Sequence, residues 1–87
     1  MVELNRAVAI GLARGPAAGL IALDGIDAAS LRSYHLLPAA RADFLRRLGR
    51  TAEAAAEYRR ALELTDNARE QRFYAVRLAA CEAGGAT

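Results

Sequence analysis

Two glycines, Gly15 and Gly49, stand 34 residues apart, and each interrupts a run of apolar residues with helical spacing. Ahead of the first break, Leu4, Val8 and Leu12 recur every four residues. A turn glycine that returns at this interval predicts two copies of a helix-turn-helix unit. The composition agrees, because nearly half of the apolar residues are alanine, the best helix former, while valine and isoleucine are few. We therefore predict an all-α fold.

Glycine, proline and small polar residues divide the chain into five predicted helices. Their predicted ranges are about 2–14, 16–25, 36–48, 51–64 and 68–83. Pro16 and Pro38 fall in first turns, where a missing N–H group costs no hydrogen bond. Thr51 is the expected cap of the fourth helix, and Asn67 with Glu70 has the pattern of a capping box for the fifth.

The second unit has small residues where packed helices would cross. Alanines allow two backbones to approach, and a tyrosine can fill the space between units. The predicted structural repeat positions are Gly15, Gly49, Ala42, Ala54, Tyr58 and Ala61. Together with the 34-residue interval, this pattern is typical of tetratricopeptide repeats. We predict two tetratricopeptide-like helix pairs and a C-terminal capping helix, with a plain helical bundle as the alternative.

We expect a single domain over residues 1–83, a loop at 25–33 and a frayed tail at 84–87. Two units are fewer than the three or so that such repeats need for stability. We therefore expect that another part of a longer chain covers the first helix, or that the chain forms a homodimer. Pro38 and Arg41 depart from the repeat, which usually has Trp and Leu there.

Several strings resemble the C-terminal region of one group of extracytoplasmic-function (ECF) RNA polymerase sigma factors. They are residues 4–7 (LNRA), 15–16 (GP) with 19–20 (GL), 34–42 (YHLLPAARA), 45 with 48–50 (LGR), and 58–62 (YRRAL). The resemblance implies a tetratricopeptide-like, non-catalytic appendage that regulates transcription initiation or contacts proteins. The implied partners are the upstream sigma domains, RNA polymerase or a regulatory protein. Direct promoter binding by these residues is not expected, because the resemblance does not include the promoter-binding domains.

The first helices of tetratricopeptide units line a concave groove, so helices one and three are expected to supply the contacts. The candidate protein-binding residues are Asn5, Arg6, Asp43, Arg46 and Arg47. The side chain of Asn5 could hydrogen-bond the backbone of a partner. Alternatively, Asn5 and Arg6 seat the domain against upstream helices.

Six arginines within residues 41–60 could form an anion-binding surface. The alternative is a solvated helix face, with Asp43 paired to Arg46 and Arg47 and Glu57 paired to Arg60 at helical spacing. Arg41 is expected to pair with Asp43 or a helix C-terminus. A free-standing adaptor for acidic peptides and an RNA-binding helical module remain alternative functions. RNA is less favoured because no aromatic residue is interleaved with these arginines.

The sequence offers little for catalysis or metal binding. One histidine and one cysteine fall short of the four ligands of a structural zinc site. His35 is expected to pack or cap a helix, Cys81 to fill apolar space, and Phe44, Phe73 and Tyr74 to lie in the core or an interface. We expect no enzyme, metal or cofactor. A deep pocket that joins His35 to a carboxylate and a hydroxyl would favour an enzyme fragment instead.

Charge and hydropathy restrict the expected partners and location. The formal net charge is only +2, which by itself does not indicate nucleic acid. No apolar run approaches the ~20 residues of a membrane span, and the start lacks the pattern of a signal peptide. We expect a cytoplasmic protein that does not bind membranes.

Overall fold

The computed structural model describes residues 2–26 and 35–85. Its helices are α1 (Val2–Arg14), α2 (Pro16–Asp24), α3 (Leu36–Arg47), α4 (Thr51–Leu64) and α5 (Ala68–Gly85). No strand occurs within these two ranges, so the predicted all-α fold of about five helices is confirmed. None of the described helices is long and apolar enough to cross a bilayer. Most of the loop expected at 25–33 lies outside the described residues.

Both repeat glycines occupy turns that require positive φ. Gly49, at φ 79°, follows α3, and its N–H donates to the carbonyl of Arg46 at 3.0 Å while that of Arg50 donates to the carbonyl of Leu45 at 2.9 Å. These two bonds make a Schellman motif. Gly15 forms the one-residue turn between α1 and α2 at φ 106° and ψ 160°, a conformation nearly confined to glycine. The two turns share a position in the predicted repeat but differ in conformation.

The helix starts confirm one predicted cap and correct another. Asn67 caps α5, because its Oδ1 accepts a hydrogen bond from the Glu70 N–H at 3.1 Å. The reciprocal half of the predicted capping box is not formed, because the Asn67 N–H donates to the Thr65 hydroxyl at 3.2 Å and not to the Glu70 carboxylate. The predicted Thr51 cap is wrong. Arg50 occupies the N-cap position of α4 without a side-chain cap bond, and Thr51 is the first helical residue. The Arg50 guanidinium instead donates to both carboxylate oxygens of Glu53, at 2.8 and 2.6 Å.

Helices α3, α4 and α5 pack through small residues and two tyrosines. The buried cluster comprises Ala42, Leu45, Ala54, Ala55, Tyr58, Ala61, Tyr74 and Cys81. The alanines at 42, 54 and 61 are completely buried, which lets the three helices approach closely. The rings of Tyr58 and Tyr74 lie 6.4 Å apart between centroids. The thiol of Cys81 is free and buried among these side chains.

Helices α1 and α2 pack against α3 around the Phe44 ring. The second buried cluster comprises Leu4, Ala7, Leu23, Leu37 and Phe44. The Phe44 ring fills a notch made by Gly11 and Gly19. A Cβ atom at Gly19 would lie 2.6 Å from the ring and 2.8 Å from the Gly11 Cα, and one at Gly11 would overlap the ring. Glycine at both positions therefore makes room for the ring.

Candidate functional site

A cleft of about 490 Å³ opens between α1, α3 and α5. Its lining residues are Leu4, Asn5, Val8, Leu36, Ala39, Ala40, Arg69, Glu70, Phe73 and Tyr74. Each helix contributes residues three or four apart, which places them on one face of that helix. The lining is mostly apolar, and the side chains of Leu36 and Phe73 stay 38% and 53% exposed. The volume falls in the range of about 300–1,000 Å³ typical of ligand sites.

A hydrogen-bond network joins the start of α3 to α5 beside this cleft. The His35 ring contacts the Tyr74 hydroxyl through Nδ1 and the Glu70 carboxylate through Nε2, each at 2.8 Å. The Thr65 hydroxyl donates to the same carboxylate oxygen of Glu70 at 3.1 Å. In a neutral ring protonated at Nε2, Nδ1 accepts from Tyr74. His35 therefore holds two helices together, and although it occupies the N-cap position of α3 it makes no cap bond there.

This network contains the carboxylate and the hydroxyls that would suggest catalysis. Tyr74 and Thr65, which supply the hydroxyls, are buried, and both ring nitrogens of His35 are engaged. A general base requires a nucleophile that a substrate can reach. The arrangement is better suited to positioning Glu70 and Tyr74 in the cleft wall. The described residues also include no group of three or more metal-ligating side chains.

The structure brings one of the five candidate contact residues into the cleft. Asn5 lines it and is exposed. Arg6 instead lines a smaller cavity of about 200 Å³ between α1 and the end of α2. Asp43, Arg46 and Arg47 lie outside the cleft lining. Helical spacing from Leu36 and Ala40 nevertheless places Asp43 and Arg47 on the same face of α3, further along the helix.

The three candidates on α3 contact one another. Asp43 accepts a hydrogen bond from Arg46 at 2.6 Å and forms an ion pair with Arg47 at 3.0 Å, as the helical spacing predicts. The bond to Asp43 and then the neighbouring Tyr58 hydroxyl raise the pKa of Arg46 above its usual value. The Arg46 Nε is buried and has no acceptor among the described residues. Arg46 therefore serves internal contacts, while Arg47 remains exposed.

Most of the arginine-rich segment is neutralised within the chain. Arg41 donates at 2.7 Å to the side-chain carboxylate of Asp24, the last residue of α2, and not to Asp43, which was one of its two predicted partners. Arg59 reaches Glu82 on α5 at 2.8 Å. The Glu57–Arg60 pair predicted from spacing is not found among the described residues. Burial raises the pKa of Glu57, and nearby Arg41 and Arg60 only partly oppose it.

Helix α5 supplies a cleft wall that the repeat pattern did not predict. Arg69 and Phe73 lie four residues apart and both line the cleft. The available sequence signal is a phenylalanine four residues from an arginine on either side, but the repeat pattern assigns α5 only the role of a capping helix.

No protein-family model, no curated protein and no solved structure matches this chain.

Proposed function

We propose that this chain is a non-catalytic protein-interaction module that binds a segment of a partner polypeptide in the cleft between α1, α3 and α5. The open apolar cleft, formed by one face of each of three helices, is the observation that carries the proposal. Leu36 and Phe73 offer exposed apolar surface, and Asn5 offers an amide donor and acceptor at the same site. An apolar floor with a few polar groups is the usual composition of a peptide-binding groove.

The sequence resemblance supports a narrower proposal. The module would be the C-terminal regulatory appendage of an ECF sigma factor, acting in transcription initiation. Its partner would then be the upstream sigma domains, RNA polymerase or a regulatory protein. A free-standing adaptor with the same cleft is the alternative.

Site-specific photo-cross-linking tests the proposed binding site. A benzophenone amino acid replaces Asn5 in the cleft or, as a control, the exposed Ala56 on α4. We expect polypeptide adducts from position 5 and few from position 56. Equal adducts from both positions, or none from either, would contradict a binding site in the cleft.

The sigma-factor proposal needs a transcriptional readout. Phe73→Ala is placed in the longer sigma factor beside Ile21→Ala, which truncates a 73% exposed apolar residue outside the cleft. We expect Phe73→Ala to change the activity of a dependent promoter and Ile21→Ala to leave it unchanged. If deletion of the whole module leaves transcription unchanged, the regulatory assignment fails even if the cleft binds a peptide.

A further inference from the structure

A stripe of side chains along α5 presents positive charge beside the cleft. Arg69, Phe73 and Arg77 are spaced by four residues and therefore lie along one side of the helix. The Arg77 guanidinium carbon lies 5.2 Å from the centroid of the Phe73 ring. Within ranges 2–26 and 35–85, neither arginine has a carboxylate oxygen within 4 Å. These charges are available to a partner.

The two carboxylates near this stripe, Glu70 and Asp43, contact other residues of the chain. Glu70 accepts from the Thr65 hydroxyl and contacts His35 Nε2. Asp43, further along the cleft face of α3, forms ion pairs with Arg46 and Arg47 of its own helix. Neither carboxylate pairs with Arg69 or Arg77. The α5 rim therefore carries Arg69 in the cleft lining and Arg77 two turns further along the helix, and these two positive charges exceed the single negative charge of Glu70.

We infer that the cleft receives an acidic amphipathic helix of a partner protein. Its apolar side chains would lie against Leu36 and Phe73, and its carboxylates would contact Arg69 and Arg77. This inference rests on the proposed protein-interaction function and defines the chemistry of the ligand. Eight residues of an α-helix rise about 12 Å, so acidic residues two turns apart on a helix beside α5 match the two arginines.

The apolar lining favours a protein ligand over nucleic acid. An exposed phenylalanine between arginines can stack on a base of single-stranded RNA. However, Leu4, Val8 and Leu36 extend the apolar surface across two further helices. That surface matches the apolar face of a helix, whereas phosphates gain nothing from it.

Selection from random peptides tests the ligand chemistry directly. A displayed library of random 16-residue peptides is selected on the immobilised 87-residue chain. Enriched peptides are then titrated by fluorescence anisotropy and examined by circular dichroism for helix formation on binding. We expect apolar residues spaced by three or four together with Asp or Glu spaced by four or eight.

Matched variants show whether binding uses the inferred residues. Arg69→Glu with Arg77→Glu should weaken a selected peptide about tenfold or more, because each reversal replaces attraction by repulsion. The control Arg60→Glu reverses one charge at an exposed α4 position outside the cleft lining, and it is compared with each of the two single reversals. Phe73→Ala should also weaken binding, whereas Ile21→Ala should not. Thermal melts check that each variant remains folded.

The outcomes separate this inference from the proposed function. Basic or uncharged consensus peptides, or acidic peptides that bind the double reversal unchanged, overturn the inference while a peptide-binding function stands. Absence of any enriched peptide overturns the inference, and the cross-linking result then decides the proposed function separately. A 16-nucleotide oligouridylate that displaces the peptide and depends on Phe73 and Arg69 would replace the protein ligand with RNA.

Discussion

The two halves of this molecule use small residues for opposite purposes. In the half formed by α3, α4 and α5, alanines let helix backbones approach one another around Tyr58 and Tyr74. Where α1 and α2 meet α3, two glycines leave a notch that the Phe44 ring fills. The first arrangement spreads its contacts over many positions. The second centres on the Phe44 ring, which packs with four other buried residues, and we expect the N-terminal half to respond more locally to substitution.

The largest expected effects come from truncating the central aromatic residue of each half. Phe44→Ala and Tyr58→Ala should each lower the free energy of unfolding by about 3–5 kcal/mol, because each leaves a large cavity. Hydrogen exchange should distinguish them. Phe44→Ala should speed exchange chiefly in α1 and α2, and Tyr58→Ala in all five helices. Identical exchange patterns in the two variants would show that the halves do not differ in this way.

Alanine substitutions in the notch should give the next largest effects. Gly11→Ala and Gly19→Ala should each cost about 1–3 kcal/mol through overpacking against Phe44. Adding Phe44→Leu should relieve Gly11→Ala, whose nearest contacts are all ring atoms. It should relieve Gly19→Ala less, because the Gly11 Cα lies 2.8 Å from the added Cβ. Urea unfolding of the single and double variants measures this coupling, and equal rescue at both positions would contradict it.

The polar link in the α3–α5 half should contribute less than either aromatic core residue. Tyr74→Phe keeps the ring but removes the hydroxyl that contacts His35 Nδ1. We expect a loss of about 1–2 kcal/mol, since a partly buried ring nitrogen loses that partner. Urea unfolding measures the loss, and hydrogen exchange should place it in α3 and α5. An unchanged unfolding midpoint would mean that the hydrogen bond contributes no net stability.

The smallest effect is expected near the boundary between the halves, where Arg41 reaches Asp24 of α2 and lies near Glu57 of α4. Burial raises the pKa of Glu57 in the folded state above its value in the unfolded chain. Ionisation of Glu57 therefore lowers the free energy of unfolding as the pH rises from the unfolded-state pKa through the folded-state pKa. Glu57→Gln should therefore raise the melting temperature at pH 7 and lose this advantage in acid. Glu63→Gln, at an exposed position of the same helix, is the control. Melts from pH 4 to 7 that show no pH-dependent difference would contradict the prediction.

The helices could be predicted because their signals are local. Gly15, Pro16 and Gly49 mark boundaries in their immediate neighbourhood, and apolar spacing defines the faces between them. Burial of Ala42 and Tyr58 also agrees with the repeat pattern. Helix α2 and helix α3 each end one residue before the predicted boundary, and α5 runs on to Gly85.

The candidate site was only partly predictable, because its contacts join distant parts of the chain. The repeat pattern predicts which helices line a groove, and the cleft lining includes one residue that it selected, Asn5. The partners of His35 on α5 and of Arg41 on α2 lie far away in sequence, and helical spacing carries no information about them. The contact between Phe44 and Gly19 could not be predicted from helical spacing either, because the two residues lie on different helices. Sequence reasoning therefore finds residues that act within one helix more readily than pairs that act between helices.

The ring that fills the glycine notch also has a consequence at the surface. Helix α1 carries Leu4 and Val8, which form one wall of the opening, whereas the opposite wall belongs to α5. Because Phe44 determines how closely the first two helices approach the third, its size fixes the gap between those walls. The size of Phe44, an interior residue that no bound molecule would touch, therefore helps to determine which side chains of a partner can enter the cleft.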